Sequence, residues 1–266
     1  MKLGIVGCGA ICDLIVKAIK SKRLNIEKVI FYDKNTEKSM LMSKLLKDSE
    51  YVNTLDELVK KDIDIIVECA SINAVKEVGE KSLKNNKDLI VMSVGAFADK
   101  ELYLYLYKLA KERGRKIYIP SGAIAGIDAV KSASLGKVEE VSLTTIKPLK
   151  SLEEPLKNMG IDIKNIKEPT TVFEGDVFEA IKKFPQNINV SVVLSIATKT
   201  PAKVKIVVDP NRVLNRHEIY IKGEVGCIKT VVENKPSENN PKTSSLAGYS
   251  LIQLIKELSE PIKIGT

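Results

Sequence analysis

This sequence contains a single histidine, the side chain whose ordinary pKa, about 6.5, allows proton exchange near neutral pH. It is His217, which lies in the stretch NRHEI, residues 215–219. A histidine of this kind can serve as a general acid or base, or can position a substrate and water. His217 also alternates with Ile219 and Ile221 along a predicted strand, a pattern typical of a buried structural histidine. The pattern alone leaves these interpretations open.

A glycine-rich turn near the N-terminus has the spacing of a pyrophosphate-binding loop. The predicted first strand runs into GCGAIC, residues 7–12. Gly7 permits a tight turn, and Gly9 lets the backbone approach an anion. The N–H groups of Ala10 and Ile11 begin the following helix and would point at that anion. The turn therefore predicts a dinucleotide site, with a tight turn that binds no ligand as the alternative.

Two residues after the second predicted strand bear on the choice of cofactor. The carboxylate of Asp33 can accept hydrogen bonds from the adenosine ribose hydroxyls and would repel a 2′-phosphate. Lys34, its neighbour, would attract that phosphate. We expect NAD or NADP, with NAD favoured. One departure is Cys12, which occupies the third glycine position and would hold helix and strand slightly farther apart.

The chain changes its pattern near residue 120. Before it, short apolar strands such as IDIIVE, residues 63–68, alternate with amphipathic helices, which predicts an N-terminal Rossmann-type, doubly wound parallel sheet. After it, alternating strands joined by short polar links predict an α+β domain with a mixed or antiparallel sheet. We expect an α/β chain with a dinucleotide-binding domain over 1–120 and a substrate domain over 121–240. A C-terminal helix within 241–266 is expected to pack back on the first domain.

Composition excludes several classes of protein. The net charge of +8 comes from lysines scattered along the chain, with no basic arm, which disfavours nucleic acid and favours anionic small molecules. No apolar run approaches the roughly 18 residues of a membrane helix. The N-terminus is typical of a first strand rather than of a signal peptide, so we expect a cytoplasmic protein. The four cysteines lack a second Cys or His pair, so we expect no metal site.

Several stretches together resemble the L-aspartate dehydrogenase family from end to end. They are the opening GCGAI turn, ECAS (68–71), PSGAIAGID (120–128), FPQNINV (184–190) and NPKTSSLA (240–247). The resemblance implies NAD(P)-dependent oxidation of L-aspartate to iminoaspartate, and then to oxaloacetate and ammonia, or the reverse. It further implies a homodimer, with dimerisation through the second domain. It also implies a functional link to quinolinate synthase, which would receive iminoaspartate for NAD biosynthesis.

The resemblance carries over to three individual residues. Ala123 and Asn189 match the family's cofactor contacts near the nicotinamide, and His217 matches its active-site histidine. Without the resemblance, Asn189 is equally explained as the cap of the next helix. The segment TIKP, residues 145–148, matches a basic segment of the family only loosely.

The two carboxylates of aspartate need cationic or N–H partners. Lys242, Thr243 and Ser244, at the predicted beginning of the last helix, offer a charge, hydroxyls and free amides. Simple helix capping is the alternative for this segment. Asn187 is a further candidate for a polar contact with the substrate.

Two other functions stay open at this point. One is a related Rossmann oxidoreductase, such as a homoserine dehydrogenase, a sugar dehydrogenase or a dihydrodipicolinate reductase. The last of these carries a paired-histidine motif, whereas this chain has one histidine. The other is a non-catalytic sensor, which would bind NAD without oxidising aspartate.

Overall fold

The chain divides into two units in the computed structural model, which describes residues 1–184, 188–237 and 240–265. For residues 236–237 and 240–243 it describes the backbone alone. The first unit comprises Met1–Pro120 with Leu251–Lys263, and the second comprises Ser121–Ser250 with Ile264 and Gly265.

A six-stranded parallel sheet forms the centre of the first unit. Its strands are β1 (Lys2–Val6), β2 (Lys28–Tyr32), β3 (Ser49–Tyr51), β4 (Ile65–Glu68), β5 (Asp88–Val91) and β6 (Ile117–Tyr118). Their order is β3-β2-β1-β4-β5-β6, and every pair is parallel. The order reverses between β1 and β4, which is where such sheets bind ligands at the carboxyl ends of their strands. The predicted doubly wound sheet is confirmed.

Helices connect these strands, and three of them begin at polar side-chain caps. They are α1 (Ala10–Lys20), α2 (Thr36–Ser43), α3 (Leu55–Lys60), α4 (Val75–Lys84) and α5 (Lys100–Arg113). The side chains of Asn35, Thr54 and Asp99 accept hydrogen bonds from first-turn N–H groups of α2, α3 and α5. The sequence pattern did not predict β3, because three residues are too short to show a periodicity.

The second unit contains a five-stranded mixed sheet. Its strands are β7 (Val138–Pro148), β8 (Thr170–Asp176), β9 (Lys203–Asp209), β10 (Asn215–Gly223) and β11 (Gly226–Asn234). Their order is β11-β10-β7-β9-β8, and the β7–β9 pair is parallel whereas the other pairs are antiparallel. The predicted α+β architecture with a mixed sheet is confirmed.

Helices accompany this sheet in the described part of the second unit. They are α6 (Ile127–Ala133), α7 (Leu149–Asn158), α8 (Val177–Lys183) and α9 (Asn189–Thr198). The sequence pattern did not predict α7, which contains Pro155. Leu152 and Leu156 are fully buried there, and this burial outweighs the cost of a proline inside a helix.

The last helix begins later than its sequence pattern indicates. The predicted start is Thr243, but residues Asn240–Ser244 form β13, which pairs with β12 (Pro236–Ser237). The helix α10 covers Ser245–Glu257. Within the first unit, its buried residues Leu251, Ile252 and Ile255 belong to the apolar core that also contains β1 and α1 side chains. Among the described residues, no helix is long and apolar enough to cross a membrane.

Candidate functional site

The glycine turn after β1 is tight on one side and open on the other. Gly7 has φ +99°, and a Cβ there would lie 2.7 Å from the Cα of Ala70, so no side chain fits. A Cβ at Gly9 would meet no atom within 4 Å. A ligand can therefore approach the backbone closely at Gly9, which is what a dinucleotide requires.

The first turn of α1 faces this open side with free backbone donors. Gly9 is the N-cap and provides no side chain, so Ala10 and Ile11 begin a helix without a side-chain cap. The N–H groups of a first helical turn have no intrahelical acceptors, and the helix dipole adds positive potential there. This arrangement fits an anionic group such as a pyrophosphate.

Asp33 connects the end of β2 to the glycine turn. Its Oδ2 accepts a hydrogen bond from the N–H of Cys8 at 2.7 Å, and its Oδ1 accepts one from the N–H of Asn35 at 2.8 Å. A carboxylate has about four acceptor positions, so Asp33 retains capacity for ribose hydroxyls. Lys34 is exposed beside it.

A buried carboxylate holds the neighbouring loops in place. Glu68, at the end of β4, is fully buried. It accepts hydrogen bonds from the N–H groups of Ala70, Ser71 and Ser93 and from the Ser93 hydroxyl, at 2.9–3.1 Å. Burial raises the pKa of Glu68, and these hydrogen bonds oppose the rise. Glu68 therefore joins the segments that follow β4 and β5 at the carboxyl edge of the sheet. It belongs to the segment ECAS, and the sequence alone indicated no role for it.

The cysteines near the turn are free thiols. Cys8 and Cys12 are buried, and a hydrogen bond to Cys8 together with burial raises the pKa of Cys12. Within residues 1–184, 188–237 and 240–265, no group of three or more His, Cys, Asp or Glu side chains is arranged to hold a metal ion.

His217 lies in the second unit, on the buried face of β10. Its side chain is 4% exposed, and its Nδ1 is 3.0 Å from the Oγ1 of Thr145, the residue directly opposite on β7. Burial, reinforced by the charge of Lys147, lowers the pKa of His217 to about 3. The imidazole is therefore neutral throughout the physiological pH range.

Lys147 is the second basic group on this face. It lies two residues after Thr145 on β7, so both side chains point to the same side of the sheet. Lys147 is 4% exposed, and burial lowers its pKa to about 8. Lys147 rather than His217 changes its charge near neutral pH. A signal for this site was present in the sequence, because Lys147 shares its strand phase with Val141 and Leu143.

The loop that contains Ala123 is held from two sides. The Ala123 carbonyl accepts a hydrogen bond from the Nδ2 of Asn234 at 2.9 Å, and Asn234 ends β11. The N–H of Gly122 donates to the Oγ of Ser250 at 3.1 Å. Gly122 has φ +71°, so the loop uses a backbone conformation that favours glycine.

The same loop lies beside the beginning of α9. A Cβ at Gly122 would be 3.8 Å from the Cγ1 of Val190, the second residue of that helix. Asn189 is its first residue, and the N-cap is Ile188, so Asn189 does not cap the helix. The structure thus brings the regions of Ala123 and Asn189 together, and Asn234 connects the loop to the strand next to His217.

The candidate substrate contacts before α10 are described only in part. Asn187 lies outside the described residues, and the side chains of Lys242 and Thr243 are also outside them. Ser244 is buried, and its Oγ accepts a hydrogen bond from the N–H of Leu246 at 3.2 Å. This contact is the one that helix capping requires.

The chain is similar to known proteins along its whole length. Residues 128–258 match the family model "Aspartate dehydrogenase, C-terminal", and residues 7–120 match "Homoserine dehydrogenase, NAD binding domain". The chain is 61% identical to an L-aspartate dehydrogenase of Methanococcus maripaludis and 53% identical to one of Methanocaldococcus jannaschii, with 100% of each chain covered. The crystal structure of aspartate dehydrogenase from Thermotoga maritima is 31% identical, with a TM-score of 0.77, and the match covers 100% of this chain and 99% of that one.

Proposed function

The chain belongs to the L-aspartate dehydrogenase family, and we propose that it oxidises L-aspartate to iminoaspartate, or catalyses the reverse reaction. The observation that carries this proposal is the pair of buried basic groups, His217 and Lys147, on one face of the sheet in the second unit. That unit contains most of the region matched by the aspartate dehydrogenase C-terminal model. A buried amine with a pKa of about 8, beside a neutral imidazole that can position the substrate, suits a reaction that must remove a proton from an ammonium group.

The first unit is proposed to hold the cofactor. A bound nicotinamide dinucleotide supplies the acceptor for the hydride that leaves the α-carbon of the substrate. Gly9, Ala10 and Ile11 bind its pyrophosphate, and Asp33 binds the adenosine ribose hydroxyls. Because the carboxylate of Asp33 disfavours a 2′-phosphate, NAD is the proposed cofactor rather than NADP.

The second unit is proposed to hold the nicotinamide end and the substrate. Ala123 and Asn189 contact the nicotinamide end, as the family resemblance implies. Lys242, Thr243 and Ser244 are proposed to bind a carboxylate of aspartate, and Asn187 is a further proposed polar contact.

The proton chemistry is assigned to His217 and Lys147. Neutral Lys147 takes one proton from the substrate ammonium, which leaves the amine lone pair free to assist departure of the hydride. Loss of the hydride gives iminoaspartate, and addition of water to its imine carbon releases ammonia and oxaloacetate. His217, held through Nδ1 by Thr145, positions the substrate and that water with its other ring nitrogen.

Turnover tests this proposal. Purified protein is incubated with NAD or NADP and with L-aspartate, L-glutamate or L-homoserine, and reduced cofactor is measured by absorbance. Of the three amino acids, we expect only L-aspartate to be oxidised. We expect His217→Ala to lose this activity while its circular dichroism spectrum stays the same as that of wild type. Tight NAD binding without turnover on any of the three amino acids contradicts the proposal and favours a sensor.

The proposed setting follows from the family resemblance. We propose a cytoplasmic homodimer that supplies iminoaspartate to quinolinate synthase and thus to NAD biosynthesis. Sedimentation equilibrium tests the dimer, and a monomer at micromolar concentration contradicts it. Transfer of iminoaspartate is tested by adding quinolinate synthase to the oxidation reaction and measuring quinolinate.

A further inference from the structure

One polar atom beside His217 is buried without a hydrogen-bond partner. Asn215 is the first residue of β10, two residues before His217, and its side chain is 1% exposed. Its Oδ1 has no hydrogen-bond partner among the described residues. Buried acceptors in folded proteins are nearly always paired, because an unpaired one keeps the cost of its lost hydration. This atom is therefore available to accept a hydrogen bond from a donor on a ligand.

Two polar neighbours of Asn215 each have one side-chain nitrogen hydrogen-bonded to another residue. Asn234 lies directly opposite on β11, and its Nδ2 donates to the Ala123 carbonyl at 2.9 Å. His217, on the same face of β10, has its Nδ1 hydrogen-bonded to Thr145. Asn215 thus lies opposite a residue that contacts the loop of Ala123, and it shares its face of β10 with His217.

We propose that Asn215 binds the amino group of the substrate, accepting a hydrogen bond from it through Oδ1. This inference rests on the proposed function and names the contact that recognises the substrate nitrogen. The carboxylates of aspartate are acceptors and cannot pair with an acceptor oxygen, whereas the amino group is the donor that aspartate offers. Asn215 shares its face of β10 with His217, which is proposed to position the substrate, and Asn234 opposite it contacts the loop of the proposed nicotinamide contact Ala123. The substrate nitrogen is therefore assigned to this face, next to Asn215.

Asn215→Leu is the principal variant for the test, because leucine has nearly the same shape and carries no acceptor. Asn211→Leu is the matched control, since it makes the same change at an exposed asparagine of the same unit. Four quantities are measured for each protein. They are the KM for L-aspartate, the inhibition constant of succinate, the Kd for NADH by fluorescence, and the Tm. Succinate has both carboxylates of aspartate and no nitrogen, so it separates recognition of the amine from recognition of the carboxylates.

The expected result for Asn215→Leu is an increase in the KM for L-aspartate of about 10- to 100-fold, the range for losing a hydrogen bond to a charged group. The succinate inhibition constant and the NADH Kd stay at their wild-type values. The Tm stays the same or rises, because the substitution removes a buried acceptor that has no partner. Asn215→Ala repeats the test without adding bulk, and Asn211→Leu behaves as wild type.

Three results overturn the inference. An increase in the NADH Kd with an unchanged KM for L-aspartate assigns Asn215 to the nicotinamide carboxamide instead. A lower Tm with unchanged kinetics makes Asn215 structural. If the inhibition constant of succinate increases by the same factor as the KM for L-aspartate, the substitution has changed the shape of the site and has not removed a contact with the amino group. Failure of the wild-type protein to oxidise L-aspartate refutes the proposed function, and the inference about Asn215 with it. Oxidation by wild type together with any of the three results above refutes only the inference about Asn215.

Discussion

Replacing Lys147 with methionine tests which of the two buried bases titrates in the working range. Burial lowers the pKa of Lys147 to about 8 and that of His217, which also faces the charge of Lys147, to about 3. A base of pKa about 8 is about one tenth neutral at pH 7 and about nine tenths neutral at pH 9. If the neutral amine accepts the substrate proton, kcat/KM for aspartate oxidation should rise roughly tenfold between those two values.

The assay compares pH profiles of kcat/KM at saturating NAD for wild type, Lys147→Met, Lys147→Arg and His217→Gln. Dividing the kcat/KM of each variant by that of wild type at the same pH removes the contribution of the substrate's own ionisation. We expect the inflection near pH 8 to disappear in both Lys147 variants, since methionine carries no proton and arginine stays charged. His217→Gln should be slower at every pH and should keep the inflection. An inflection between about pH 6 and pH 7 that only the His217 substitution removes would refute the reasoning.

Three further predictions concern stability and the cofactor. Between about pH 8 and pH 10.5 the unfolded chain binds more protons at Lys147 than the folded chain does, so the free energy of unfolding of wild type should rise with pH through that window. Lys147→Met should lack this rise and should be more stable than wild type at pH 7 by up to about 3 kcal/mol. Urea unfolding at several pH values measures both effects. Gly7→Ala should lower the Tm, because φ is +99° and the new Cβ meets Ala70, whereas Gly9→Ala should unfold like wild type and weaken NADH binding in titrations. Asp33→Ser should shift the kcat/KM preference toward NADP, and an unchanged preference would show that Asp33 does not face the ribose.

The sequence predicts the sheets well because their residues repeat with simple periods. β4 is buried at all four positions, as expected for a strand covered on both faces, and the apolar run in its sequence predicts this burial. β10 alternates, and its phase with Ile219 and Ile221 predicts that His217 points inward. The helix α7 could not be predicted in this way, because Pro155 disfavours a helix. Burial of its leucines against the rest of the unit offsets the cost of that proline, and the local sequence does not show this burial.

The electrostatics of the candidate site depend on contacts that no local pattern contains. The low pKa of His217 requires both its burial and the charge of Lys147, which comes from a strand far away in sequence. The unpaired state of Asn215 depends on the pairing of β10 with β11, which places Asn234 opposite it while Asn234 is engaged with Ala123. Residue types and spacing locate these side chains on the inner face, whereas strand order and register determine their partners.

The central claim is that hydride leaves the α-carbon of L-aspartate for the cofactor, and isotope transfer tests it most directly. The purified protein is given NAD and L-aspartate deuterated at the α-carbon, and the reduced cofactor is recovered and analysed by mass spectrometry and proton NMR. We predict one deuterium per reduced cofactor, located at the nicotinamide C4, together with slower turnover than with undeuterated substrate. Reduced cofactor without deuterium, or no reduction at all, would contradict the account.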